Sequence, residues 1–196
     1  LRGHAGLRVA AVGVACALLM SGSADAASRL VSFRSTGGRT VMGLFTEADR
    51  RPAPAVILVP MLGRPKDDWQ ALAERLASAG IHALAIDLPA PGLPADPQEL
   101  LAWHEDIRAA VAFLASLGDV RLGAVGLAGA SLGANLVAVA AAADPGVRSI
   151  ALISPSLDYR GVRIEGALQQ YGARQALLAA SVQDPYAART VRELEK

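Results

Sequence analysis

The chain has 196 residues, with 19 Lys+Arg against 18 Asp+Glu and a formal net charge of +1. That length suits one domain with a sizeable core, and the near-neutral charge argues against a nucleic-acid or membrane-surface binder, both of which carry a basic excess. With 53% hydrophobic and 19% charged residues the chain is not disordered, and its single cysteine excludes a disulfide framework or a cysteine-rich zinc site.

The amino terminus carries Arg2 and Arg8, then an uncharged run, then Ala24-Asp25-Ala26. A basic start, a short apolar run and a small-x-small site form the pattern of a secretory signal peptide over residues 1–26, cleaved after Ala26 or Ala27. The apolar part, residues 9–20, is shorter than the about 20 residues that span a bilayer. An uncleaved anchor is the other reading. Cys16 lies inside the run rather than after it, which argues against lipidation. Residues 27–196 then form one domain, expected in a secreted or periplasmic setting without stable membrane insertion.

Residues 30–34 and 39–46 alternate weakly around Gly37-Gly38 and predict an antiparallel hairpin. Residues 55–59 are a β-branched apolar run ended by Pro60, as in a central buried strand. Apolar positions 69, 72, 73 and 76 predict a helix over 67–79, stopped by Gly80. Residues 81–86 read as a second buried strand ending at Asp87. Pro89, Pro91, Pro94 and Pro97 then stiffen a loop. A single long helix is predicted from Asp96-Pro97 to about Leu117, with Leu100, Trp103, Ile107, Val111 and Leu114 on one stripe. Strands over 122–128, 148–154 and 175–181 alternate with helices over 132–143 and 162–169, and a last helix opens at Pro185. A hairpin followed by alternating strands and helices predicts an α/β domain, its mostly parallel sheet covered by helices on both faces.

Residues 122–143 carry no charge and include Gly129-x-x-x-Gly133, as a membrane helix with a small-residue dimer face would. Their glycine interruptions favour instead a buried strand, a glycine-rich turn and an alanine-rich helix stopped by Asp144-Pro145-Gly146. At that junction Gly129-Ala130-Ser131-Leu132-Gly133 fits G-x-S-x-G. A nucleophile on so sharp a turn has a strained backbone, so the residues two away on either side must lack side chains. The turn lifts the Ser131 hydroxyl above the sheet at a helix N-terminus, where the Leu132 N–H faces a developing oxyanion. A packing turn with an incidental serine is the other reading. The glycines at 123, 126, 129 and 133 do not fit G-x-G-x-x-G and no Walker pattern occurs, so no cofactor is expected, and no metal.

On this elbow, on Leu58-Val59-Pro60-Met61-Leu62-Gly63 followed by Asp67-Asp68-Trp69, and on Asp87-Leu88-Pro89-Ala90-Pro91-Gly92, residues 27–196 resemble the α/β-hydrolase family. The likeness is to its dienelactone-hydrolase-like and small carboxylesterase branch, with a serine in place of the cysteine of dienelactone hydrolase. The resemblance implies a second oxyanion N–H just after the strand ending at Val59. Pro60-Met61 replaces the family's His-Gly there, so that donor falls to Leu62, with the neighbouring Met61 as the alternative. It also implies an acid after the strand over 175–181, which points to Asp184, with Asp158 as competitor. Asp184 is equally natural as a helix N-cap before Pro185.

The family order is serine, acid, histidine, yet no histidine follows Asp184. His4 falls in the signal peptide, His82 begins a strand whose far end is the active edge, and His104 lies on an outer helix. Either the chain is a binding pseudoenzyme, or it lacks a last strand, a histidine loop and a last helix. The start at Leu1 and the stop inside a helix at Lys196 favour incompleteness. The expected activity is serine hydrolysis of an ester, thioester or amide, on a small-molecule substrate, at a site left open because residues 154–175 are too few for a cap domain. A non-catalytic binding protein and an acyltransferase are the alternatives.

Overall fold

The computed structural model describes residues 27–90 and 96–195; the expected signal peptide, with His4 and Cys16, and residues 91–95 of the proline-rich loop lie outside them. The predicted hairpin forms from β1 (Ser28–Arg34) and β2 (Thr40–Thr46), antiparallel over their whole length. β3 (Ala53–Val59) follows, and its end leads through a tight 3-10 turn, Lys66–Trp69, into α1 (Gln70–Ser78). Then come β4 (His82–Ile86), α2 (Pro97–Ala102), α3 (His104–Ser116), β5 (Val120–Ala130), α4 (Leu132–Ala143) and β6 (Val147–Ile153). A two-residue hairpin, β7 (Asp158–Tyr159) with β8 (Val162–Arg163), precedes α5 (Glu165–Tyr171), β9 (Gln175–Ala179) and α6 (Pro185–Leu194). The main sheet runs β1-β2-β4-β3-β5-β6-β9, and from β4 onward every neighbouring pair is parallel.

The central strands are apolar in both directions because both faces are buried where helices lie. On one face Ile57, Leu84, Ile86, Leu127, Ile150 and Leu152 meet Ile107 and Leu114 of α3 and Leu136 of α4. On the other, Leu58, Ala83, Ala85 and Ala128 meet Ala73 and Leu76 of α1 and the ring of Trp69. Cover of this second face is partial. Past α1, among the described residues, it becomes an open groove of about 360 Å³ along Gly126, Ala128, Ser149, Ala151 and Leu177, the last 61% exposed.

The uncharged run over 122–143 divides as expected into the end of β5, a turn and α4, and among the described residues no helix is long and apolar enough to cross a membrane. Arg174 finishes α4: its guanidinium donates to the carbonyls of Ala141, Asp144 and Val147 at 3.0, 2.8 and 2.9 Å. Two of these carbonyls belong to the last turn and C-cap of α4, where helical partners run out, and the third opens β6.

Three predicted helices differ from those formed. The single helix from Pro97 is two, α2 and α3, meeting at Trp103. There the Trp103 N–H donates to Leu100 O and the Asp106 N–H to Trp103 O, bonds between residues three apart that tighten the turn. Trp103 itself is buried in the core between Leu100 and Ile107. The apolar stripe therefore runs unbroken across a backbone that does not. The helix expected over 67–79 begins as the 3-10 turn, and the one expected over 162–169 starts later because β8 takes its first residues.

Candidate active site

Ser131 stands alone between β5 and α4 with φ 52° and ψ −120°, a region that residues with a Cβ rarely adopt. Both sides of its peptide frame are fixed. Its N–H donates to Ile153 O on β6 at 2.9 Å, and its C=O accepts from Ala134 and Asn135 at 2.9 and 3.2 Å. The same device recurs one strand over: Ser154, φ 49°, donates its N–H to Ala179 O at the end of β9, at 2.7 Å.

The flanking glycines are required by space. A Cβ on Gly129 would run into the carbonyl of Gly133, and one on Gly133 would run into Pro60 O and lie 2.6 Å from Val59 O. The helix start is thus pressed against the end of β3, which brings the two predicted oxyanion donors to one edge. Leu132 is the first helical residue, so its N–H has no partner within the helix, while its side chain is fully buried. Leu62 follows β3 and leans its side chain on the core.

The segment carrying Leu62 is tied down by a pair that the sequence alone does not reveal. Asp87, at the end of β4, accepts from the Lys66 backbone N–H and from Lys66 Nζ, both at 2.9 Å. The hydrogen bond to Asp87 holds the Lys66 ammonium above its ordinary pKa, against partial burial of the side chain. A raised lysine contributes stability that is complete below its unfolded value, about 10.4, and is lost as pH rises through the folded value. Lys66→Met is therefore expected to cost about 1.5 kcal/mol at pH 7. Urea midpoints of the two chains should converge as pH is raised above about 10.4.

The two candidate acids sit in different surroundings. Asp184 closes the turn after β9 and its Oδ1 accepts from the Ala187 N–H at 3.0 Å, so it caps α6. Asp158 is exposed, with both oxygens engaged in its own hairpin: Oδ1 by Gly161 N–H at 2.6 Å and Oδ2 by Arg163 Nε at 2.9 Å. Those bonds, the Gly161 one first, hold its carboxyl below the usual range.

Both described histidines are held by partners of their own. His82 is fully buried, its Nδ1 accepting from Ala48 N–H at 3.0 Å and its Nε2 donating to Asp119 O at 3.1 Å. The register sets it beside Ala55, and Ala55 beside Val125, so roughly 20 Å of strand at ~3.3 Å per residue separates it from Ser131. His104 begins α3, where Nδ1 meets Leu101 O at 2.7 Å and Nε2 meets Glu105 at 3.1 Å. Among the described residues no group of His, Cys, Asp or Glu side chains could hold a metal ion.

Beside the elbow lies a cavity of about 170 Å³, lined by Pro60, Met61, Arg64, Asp68, Trp69 and Ala130. Sequence reading gave Trp69 an apolar helix position and a place in the Asp67-Asp68-Trp69 motif, and gave Asn135 no functional role. In the fold Asn135 is a buried brace. Its Nδ2 donates to Ser156 O and Val162 O, both at 2.8 Å, and its Oδ1 accepts from Ser156 N–H at 3.1 Å. An asparagine one turn into an otherwise alanine-rich, mostly buried helix was the available signal.

No protein-family model and no curated protein matches the sequence. Solved structures do carry this architecture. DcsB, solved in complex with its substrate analogue, is similar with a TM-score of 0.61 and 26% identity, over 68% of this chain and 47% of its own. GrgF, an α/β hydrolase from Penicillium sp. sh18, is similar at 0.58 and 27%, over 66% and 46%. Dienelactone hydrolase from Anabaena variabilis is similar at 0.63 and 19%, over 87% and 95%. The chain has the α/β-hydrolase fold. The chain spans about half the length of DcsB and GrgF. The strain at the elbow is measurable. Ser131→Gly is expected to raise stability by about 1 kcal/mol, since glycine adopts that φ without cost, and a thermal melt should move up by roughly 2–4 °C. Ser131→Ala keeps the Cβ and should leave the melt in place.

Proposed function

We propose that this chain is a serine hydrolase that cleaves an ester, thioester or amide of a small molecule. Ser131 Oγ attacks the carbonyl carbon as its proton passes to a base, and the carbonyl oxygen becomes an oxyanion held by the Leu132 and Leu62 N–H groups. The leaving alcohol, thiol or amine takes the proton, and water then releases the acyl group from Ser131. Asp184 orients the base, a histidine supplied from beyond residue 196, because His82 and His104 are both committed elsewhere. The observation that carries the reading is the strained Ser131, set between two glycines that admit no side chain. The basic and apolar pattern of residues 1–26 supports export to a secreted or periplasmic setting.

A fluorophosphonate probe applied to the natural gene product is expected to label Ser131 and to fail with Ser131→Ala. Absence of that adduct would sink the hydrolase reading in favour of a binding protein on the same scaffold. Residues 1–196 alone are expected to show no ester turnover above that of Ser131→Ala.

Asp184 has two separable roles. Asn caps a helix as well as Asp, whereas Ala costs about 1 kcal/mol. Asp184→Asn is expected to leave stability intact and to lower turnover by about 10³- to 10⁴-fold by misorienting the base. Asp184→Ala should lower both. Full turnover in Asp184→Asn would show a cap and nothing more.

A further inference from the structure

We propose that the open groove beside α1 seats one helix with a stripe of bulky apolar side chains, and that this helix belongs to the same polypeptide, in a segment following Lys196. Two rows of side chains cross the groove. Register places Val56, Gly126, Ser149 and Gln175 in one row, and Leu58, Ala128, Ala151 and Leu177 in the next. No residue lining the groove is charged. The middle of each row is a floor of glycine, alanine and serine, and Leu177 stands exposed at its outer end.

The covered parts of the sheet indicate what such a floor takes. Where α4 lies on the opposite face, the strands bring Leu127, Ile150 and Leu152, and the helix is rich in alanine. Where α1 lies on this face, the strands bring Ala83, Ala85 and Ala128, and the bulk comes from Trp69 and Leu76. Large side chains of one layer meet small ones of the other, as close packing requires. Over Gly126, Ala128, Ser149 and Ala151 the bulk must therefore come from the occupant. The three strands β5, β6 and β9 span ~10 Å between the outer two, which is the diameter of one helix. A second copy laid floor to floor would set small residues against small ones and leave the space unfilled.

Two observations put the helix in the same polypeptide. Among the described residues the outer edge of β9 is unpaired, and that strand has none of the charges, prolines or bulges that blunt a free edge. The strand at the other edge, β1, carries Arg29 and Arg34. Edge and groove thus lie open side by side at the flank where the chain, after α6, would continue. The second observation is length: DcsB and GrgF hold about twice as much polypeptide on the same architecture.

The test places one cysteine at a time in the natural gene product, with every native cysteine replaced by serine. Leu177→Cys probes the groove. Leu30→Cys, at a position 68% exposed on the opposite edge, is the reference. With a maleimide, Leu177→Cys is expected to react on the order of 100-fold more slowly than Leu30→Cys, at a rate independent of protein concentration. In residues 1–196 alone the two should react alike. Should Leu177→Cys not fold, p-benzoylphenylalanine placed at Gln175 gives a second reading, with a crosslink expected to a peptide from beyond Lys196. Equal cysteine rates in the natural gene product, protection that fades on dilution, or a crosslink to a second copy or another protein would each overturn the proposal. Ser131 labelling of the same gene product tests the hydrolase reading separately: a labelled serine with equal cysteine rates rejects the groove alone.

Discussion

Replacing Asn135 with leucine is expected to remove about 3–5 kcal/mol of stability, lowering the thermal midpoint by roughly 10 °C. Leucine fills a similar volume, so the loss is not one of packing. It comes from three backbone groups on the segment after β6, the N–H and C=O of Ser156 and the C=O of Val162, all of which Asn135 satisfies inside the protein. Each would lose that partner, the Val162 carbonyl in a buried setting and the Ser156 groups in a half-buried one. Asn135→Asp should fare no better, because a carboxylate would face two carbonyl oxygens where the amide now donates. Amide hydrogen exchange would locate the damage: protection should fall first across residues 156–164, before β5 or β6 loosen.

Gly133→Ala is expected to cost about 3 kcal/mol, although alanine is the better helix former. The added methyl meets the main chain of Val59 and Pro60, not the tip of a side chain that could swing aside. Either α4 lifts from the sheet or the end of β3 shifts. Both routes move Leu62 relative to Leu132, so Ser131 labelling should fall by more than the lost stability accounts for. A circular-dichroism melt gives the first quantity, and labelling rate at a temperature where the variant is fully folded gives the second. An unchanged labelling rate would mean that the oxyanion donors do not depend on this contact.

The elements visible in the sequence are those that a single residue type or a local period determines. The β-branched run before Pro60, the proline-marked start of α6 and the G-x-S-x-G turn all belong to that kind. So does the division of the uncharged run into strand and helix, since glycine placement within it is enough. The features that escaped involve partners far apart in the chain. Lys66 and Asp87 meet only because β3 and β4 are neighbours in the sheet. Asn135 reaches residues on a loop that packs over α4. The break at Trp103 was hidden for the opposite reason: its side chain obeys the helical period while its backbone tightens by one residue. Asp184 could be read as an acid or as a cap from sequence, and the fold adds the bond to Ala187 that makes it at least the second.

The paired serines have a mechanical consequence. Ser131 hangs by its N–H from the last residue of β6, and Ser154, the residue after β6, hangs in turn from the last residue of β9. The position of the nucleophile is therefore referenced outward, step by step, to the rim of the sheet. A displacement at Ala179 propagates to Ile153 and so to the reactive hydroxyl, with no side chain involved. Whatever steadies the outer flank of β9 would sharpen the alignment of Ser131, and disturbance there would blur it at a distance. Rim substitutions should thus be screened for loss of reactivity before any residue within the pocket is blamed.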